Sequence, residues 1–217
     1  MENNAGEIFI TGGSGYIGSR LIPRLLDCGL KVTALVRAGS EKKIDSRCNI
    51  VIGNALDSST YSAYVKDGCI FIHLVGVAHP GPGKEKEFLE IDMVSIEEAV
   101  KTAKSAGASQ FIYLSVAEPA PVMKEFIEVR KYGERLLAES GLNAVFIKPW
   151  YVLGPGHYWP YLLLPFYLIC MLIPPLSTTA RRLYPVKLDK VLNAIVDSVK
   201  YPVKGIRSIS TDELRKY

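Results

Sequence analysis

Three glycines near the start of the chain carry the first chemistry that the sequence suggests: Gly12, Gly15 and Gly18, in the run Thr11-Gly12-Gly13-Ser14-Gly15-Tyr16-Ile17-Gly18. Glycine at these spacings lets a backbone turn tightly, approach a pyrophosphate closely and seat a helix against a strand. The flanks supply the context. Ile8 to Ile10 is a short apolar run that predicts a buried strand, and Ile17, Leu21, Ile22, Leu25 and Leu26 recur behind it at helical spacing. Free N–H groups in the first turn of that helix, together with its dipole, attract phosphate. Residues Gly12, Gly13, Ser14, Gly15, Tyr16, Ile17 and Gly18 are therefore expected to bind a dinucleotide.

A second polar group stands roughly 20 residues further on, where an acidic side chain would grip the ribose 2′-hydroxyl of NAD. Here that place holds Arg37, with Lys42 and Lys43 following. A guanidinium can bind a 2′-phosphate by paired charge-assisted hydrogen bonds, so the expected cofactor is NADP rather than NAD. Asn54, after the next strand, is placed to meet the adenine with its amide oxygen. Two histidines read differently. His73 lies inside an apolar run and is expected to be a hydrogen-bonded core residue, whereas His79 sits in a Gly/Pro-rich loop where it faces either substrate or solvent. Gly76, just before that loop, would let backbone approach the cofactor.

The elements that position these groups alternate. Strands are predicted at 31–36, 49–53, 70–75, 110–115 and 143–149. Tyr61, Tyr64 and Val65 read as one face of a short helix, and longer helices are predicted at 84–106 and about 122–140. Strand–helix alternation over this length is the pattern of an α/β doubly wound parallel sheet. The division expected is a Rossmann-type domain over 1–154 and a short C-terminal lobe over 155–217 integrated with it.

Composition narrows the partners. Hydrophobic residues make up 48% and charged residues 22%, and the net charge of +4 is scattered. No basic stripe interleaved with aromatics points to nucleic acid. The four cysteines, Cys28, Cys48, Cys69 and Cys170, show neither C-x-x-C nor metal-ligand spacing, which suits reduced thiols and no metal site. The acidic, polar start of the chain does not read as a signal peptide, so a cytoplasmic location is expected. Tyr161 to Leu176 is almost wholly apolar but shorter than the roughly 20 residues of a spanning helix, and Pro165, Pro174 and Pro175 interrupt it. These features favour a buried or pocket-lining helix over a dimer or membrane-surface contact, and either over a true span.

Four segments together, Thr11–Gly18, Ile72–Gly76, Phe111–Ser115 and Lys148–Gly156, resemble the extended and atypical short-chain dehydrogenase/reductases. These include the NAD-dependent epimerase/dehydratase group, the NmrA-like regulators and the accessory NADPH-binding subunit of respiratory complex I. The resemblance implies further cofactor contacts from the Asn54-Ala55-Leu56 loop, from Val75 and Gly76, and from Pro149, Trp150, Tyr151 and Val152. It also exposes a departure. The family's catalytic pair is a Tyr and a Lys four residues apart, one helical turn, with an acidic residue commonly four beyond the Lys. Registered on Glu134, those places hold Phe126 and Arg130. Phenylalanine has no proton to give, and arginine stays protonated, able to hold a ribose or phosphate. Ser115 occupies the family's third catalytic position. The expected function is an NADP-dependent oxidoreductase with non-standard proton delivery, its acid drawn from a group such as Tyr151, His79 or His157. Its substrate would be small and apolar, entering between the Gly76 loop, Trp150 and the Tyr161–Leu176 segment. The alternative is a non-catalytic NADP(H)-binding redox sensor or structural protein.

Overall fold

The computed structural model of the chain describes residues 6–77, 81, 83–120 and 122–217. His79 lies outside the described residues. The strands β1 (Ile8–Thr11), β2 (Val32–Val36), β3 (Asn49–Ile52), β4 (Ile70–His73), β5 (Gln110–Leu114), β6 (Ala144–Ile147) and β9 (Ile206–Ile209) form one sheet, ordered β3-β2-β1-β4-β5-β6-β9. Every neighbouring pair is parallel. Two short strands, β7 (Val152–Leu153) and β8 (Val186–Lys187), pair beside it. The α/β doubly wound sheet expected from the alternation is the fold observed. Residues beyond 155 enter it directly, because β9 completes the sheet edge next to β6.

Side-chain alternation sorts the core into two layers. Ile8 and Ile10, Ile70 and Ile72, Val145 and Ile147 face one side. There they meet α1 (Gly18–Asp27), α7 (Leu188–Lys200) and α8 (Thr211–Leu214). The other face is aromatic. Phe9, Phe71 and Phe111 are register partners on adjacent strands, with ring centroids 5.4 and 5.1 Å apart. They are covered by α3 (Val94–Ser105) and α4 (Lys124–Ser140). Strands buried on both faces need continuous apolar runs, as these sequences provide.

Three local expectations are corrected. The helix predicted at 84–106 is not uniform: α2 (Glu85–Glu87) passes into a wider π-turn at Phe88–Met93 before α3 begins. Tyr61, Tyr64 and Val65 do not share a helical face. Two 3₁₀ turns, Ser58–Thr60 and Ser62–Tyr64, bury Tyr61 and Val65 but leave Tyr64 exposed, because three residues per turn rotates the pattern. The Tyr161–Leu176 segment is neither buried nor pocket-lining. It folds as a 3₁₀ turn (Trp159–Leu163), α5 (Leu164–Leu172) and, after extended Ile173, α6 (Pro174–Arg182). Only Tyr167 and Cys170 of α5 are buried; they pack with Ala180 and Leu183 beneath Trp150. No described helix is long and apolar enough to cross a membrane.

Candidate functional site

The chain leaves β1 for β2 on one side of the sheet and later crosses to β4 on the other, so the crevice at the C-terminal ends of β1 and β4 is the topological switch point. The glycine turn sits there, and its glycines have separable reasons. Gly12 adopts φ +77°, and a Cβ on it would lie 2.7 Å from the Leu74 carbonyl carbon. A Cβ on Gly18 would lie 2.7 Å from Gly13 Cα, so this residue seats the helix on the turn. Gly15 is exposed; a Cβ there would touch only the Gly12 carbonyl oxygen, at 3.2 Å, and otherwise project into open space. Among the described residues, the N–H groups of Tyr16, Ile17 and Gly18 donate to no backbone carbonyl. An open cradle with unspoken-for donors at a helix start fits the pyrophosphate of a dinucleotide.

From the turn a cleft of about 520 Å³ runs across the ends of β4, β5 and β6. It is lined by Gly12, Gly15, Tyr16, Ile17 and Gly18, then by Gly76, Ser115, Phe126 and Arg130, and by Pro149, Trp150, Tyr151 and Val152, with Trp159 and with His157, whose ring packs edge-on against Tyr16 at 5.5 Å. The remaining expected residues lie elsewhere. Gly13 is buried against Ala34 and Ile22, and Ser14 is half-buried outside the lining. Val75 gives its carbonyl to Arg130. Arg37 is exposed directly after β2, and Asn54, Ala55 and Leu56 follow β3, on the opposite side of the glycine turn from Ser115. The Asn54 amide oxygen accepts the Leu56 N–H at 3.0 Å, an Asx turn that shapes this loop.

Phe126 and Arg130, expected at the catalytic-pair positions, both reach the cleft wall, but the guanidinium is engaged internally. Its Nη1 donates to the Leu114 carbonyl at 2.9 Å and its Nη2 to Asp92 at 2.6 Å, while both lie 3.4 Å from the Val75 carbonyl. Asp92 also accepts the Val77 N–H at 2.8 Å. Burial pushes the Asp92 carboxyl above its usual range, against the pull of Arg130 and the Val77 N–H. This ion pair ties the ends of β4 and β5 to the π-turn. It also bears on Gly76: a Cβ there would collide with Arg130 Nη2, so a larger residue would push the guanidinium off Asp92. Asp92 was not foreseen. The signal was its position, four residues after Phe88 and four before Ile96, on the apolar stripe where an unpaired acid does not belong.

Ser115 is buried at the cleft wall, and its hydroxyl donates to Glu134. Lys148 bridges Glu134 and Glu118, each at 3.0 Å, and Lys131 lies 3.4 Å from Glu118. The chain of polar groups thus runs from the cleft to the surface at Lys131. Burial raises the Glu118 carboxyl, but Lys148 and Lys131 outweigh it and hold the group below its usual range.

The sequence profile of the NAD dependent epimerase/dehydratase family matches residues 8–161. The chain belongs to that family. Among characterised proteins it is similar to a ceramide reductase of Caulobacter vibrioides, 23% identical over 207 residues that cover 94% of this chain and 64% of that protein. It is also similar to a 3 beta-hydroxysteroid dehydrogenase/Delta 5→4-isomerase of Mycobacterium tuberculosis, 26% identical over 122 residues, 53% of this chain and 33% of that one. The chain therefore spans less than two thirds of the length of these relatives. Among solved structures it resembles the Bordetella bronchiseptica enzyme WbmH in complex with NAD+, with a TM-score of 0.70 at 19% identity, covering 94% of this chain and 75% of that one. A UDP-galactose 4-epimerase matches equally well in fold, with a TM-score of 0.70 at 15% identity, covering 94% and 76%.

Phe126 has no proton to donate, so the other candidate acids in the cleft decide what chemistry the wall could support. His157 is fixed between Val152 and Trp159. The indole Nε1 can only donate, to imidazole Nε2 at 2.9 Å, and the Val152 carbonyl can only accept, from Nδ1 at 2.8 Å. The tautomer that satisfies both carries its proton on Nδ1, directed at backbone rather than into the cleft. Tyr151 lines the cleft against Trp150 and Trp159, and burial pushes its phenol above the usual range, which disfavours the phenolate. Among the described residues no group of His, Cys, Asp and Glu is arranged to hold a metal.

Proposed function

We propose that the chain binds NADP(H) along the C-terminal edge of the sheet and acts as an oxidoreductase on a small apolar carbonyl compound. One observation carries this reading: the open glycine cradle at the switch point leads directly into a cleft whose wall presents Ser115. Tyr16, Ile17 and Gly18 would face the pyrophosphate, Arg37 the 2′-phosphate, and Asn54, Ala55 and Leu56 the adenine. Val75, Gly76, Pro149, Trp150, Tyr151 and Val152 would enclose the nicotinamide half. When bound, the cofactor would supply or accept a hydride. The proton for a carbonyl oxygen would come from the Ser115 hydroxyl turned from Glu134 toward the cleft, and would be replaced by one passed from the Lys148 ammonium through Glu134. Arg130 would keep this wall in place through Asp92. The names of the curated relatives, a ceramide reductase and a steroid dehydrogenase, support an apolar substrate.

Phe126 and the internal engagement of Arg130 favour a second reading, a non-catalytic NADP(H)-binding protein. Fluorescence titration followed by a turnover assay separates the two. NADPH is expected to bind more tightly than NADH, and Arg37→Ala to weaken NADPH by about 10–100-fold, the equivalent of a charged hydrogen bond of roughly 1.5–3 kcal/mol. Equal affinities, or an unchanged Arg37→Ala variant, would remove the NADP assignment. Oxidation of NADPH by apolar ketones or quinones, lowered about 100-fold or more in Ser115→Ala, supports the enzyme. Tight binding with no turnover across the panel supports the second reading.

A further inference from the structure

The hairpin made by α5 and α6, with the 3₁₀ turn before it, leaves many of its large apolar residues in solvent. Leu162 is 82% exposed, Phe166 63%, Ile169 59% and Leu172 84%. Scattered surface leucines need no account, but a continuous apolar run of this kind does. Its shape is informative. Phe166 and Leu168 are both exposed although two residues of helix separate their directions by about 200°. The helix therefore stands out as a convex ridge, open on both flanks. A second copy or a flat partner would cover one flank, whereas a fluid medium surrounds both.

The charge distribution points the same way. Between Pro149 and Ala180 there is no Asp, Glu, Lys or Arg, and between Ser140 and Leu188 there is no acid at all. Within this stretch of sequence the ionised groups are cationic, with exposed Arg181 in the last turn of α6 and exposed Lys187 following, while Asp212 of the neighbouring α8 is paired with Arg215. Tyr158, Trp159 and Tyr161, all exposed, ring its base, the residue types that settle at a lipid–water boundary. We propose that the α5–α6 ridge docks on the surface of an anionic lipid bilayer, with Leu162, Phe166, Ile169 and Leu172 among the acyl chains and Arg181 at the headgroups. Trp159 belongs both to the ridge's base and to the lining of the cleft, so the cleft wall at Trp159 would lie beside the lipid. Entry of an apolar substrate by that route rests on the oxidoreductase reading; the docking does not.

Flotation of the whole chain with vesicles tests it without any cofactor or substrate. The chain is expected to float with phosphatidylcholine vesicles containing about one-third phosphatidylglycerol, and about tenfold more weakly with phosphatidylcholine alone at low salt. The triple variant Leu162→Ser, Phe166→Ser, Leu172→Ser should lose flotation while keeping its circular dichroism and thermal midpoint, since all three side chains are in solvent. Arg181→Gln should weaken binding about fivefold, on the anionic vesicles only. Brominated acyl chains should quench tryptophan emission, and Trp159→Phe should remove most of that quenching. Absence of flotation with either vesicle, or flotation unchanged in the triple variant, would overturn the proposal. So would a stable dimer in sedimentation velocity that the triple variant converts to monomer, which would give the ridge to a second copy.

Discussion

His73 shows how a single residue records its surroundings. It is buried in β4, where Nδ1 meets Thr11 Oγ1 at 2.8 Å across the β1–β4 register, and Nε2 lies 3.4 Å from Ser95 Oγ. Burial, with the Arg130 charge nearby, pushes its pKa from 6.5 down to about 3. The folded chain thus holds the imidazole neutral while the unfolded chain protonates it near pH 6.5. Between those values the unfolded state binds more protons, so stability is complete above about pH 6.5 and falls as the pH drops, by up to about 1.4 kcal/mol per pH unit. His73→Gln keeps a hydrogen-bonding side chain but cannot titrate there. Urea unfolding at a series of pH values from neutral to about 5 should show a shallower slope for this variant by up to that amount. Parallel slopes would mean that His73 is charged in the folded protein.

At the scale of the element, the β1–α1 turn makes a prediction that separates folding from binding. Gly18→Ala drives a Cβ into the Gly13 backbone and should destabilise by about 1–3 kcal/mol. Gly15→Ala meets only the Gly12 carbonyl oxygen, which must give by a few tenths of an ångström, and should unfold close to the wild-type midpoint. Its methyl group would still occupy the cradle, so NADPH affinity should fall about tenfold or more while stability holds. A Gly15→Ala variant that binds normally would place the phosphates elsewhere. This turn was legible in the sequence because each glycine answers a local demand that strand–turn–helix order makes visible. The strands were legible for a similar reason, since burial on both faces leaves an unbroken apolar run. Long-range pairings were not. Nothing local told that Arg130 would be consumed by Asp92 and two strand-end carbonyls, that Glu134 and Lys148 would anchor Ser115, or that an apolar segment would stay in solvent. Periodicity also cannot register the π-turn at Phe88–Met93, whose extra residue per turn shifts the stripe without breaking it.

For the whole molecule, the strand order places the expected contacts on either side of the glycine turn: Arg37 and Asn54 beyond β2 and β3, Ser115 and Pro149 beyond β5 and β6. A ligand that uses all of them must cross the sheet's switch point and tie its two halves together. At a hundredfold excess over Kd such binding stabilises the folded chain by about 2.7 kcal/mol, a rise in thermal midpoint of roughly 5–10 °C for a domain of this size. The rise alone does not reveal the span, but hydrogen exchange does. NADPH should slow exchange in both sets of loops, at 37–40 and 54–57 and also at 115–117 and 150–152. Adenosine 2′,5′-bisphosphate, which carries the adenine and the 2′-phosphate without the nicotinamide, should protect the first set alone. Protection by NADPH confined to one side would break the link between the glycine turn and the cleft, and with it the argument that Ser115 faces a nicotinamide. Protection on both sides, with the bisphosphate effect lost in Arg37→Ala, is the outcome expected if the proposed NADP(H) lies across this arrangement of strands.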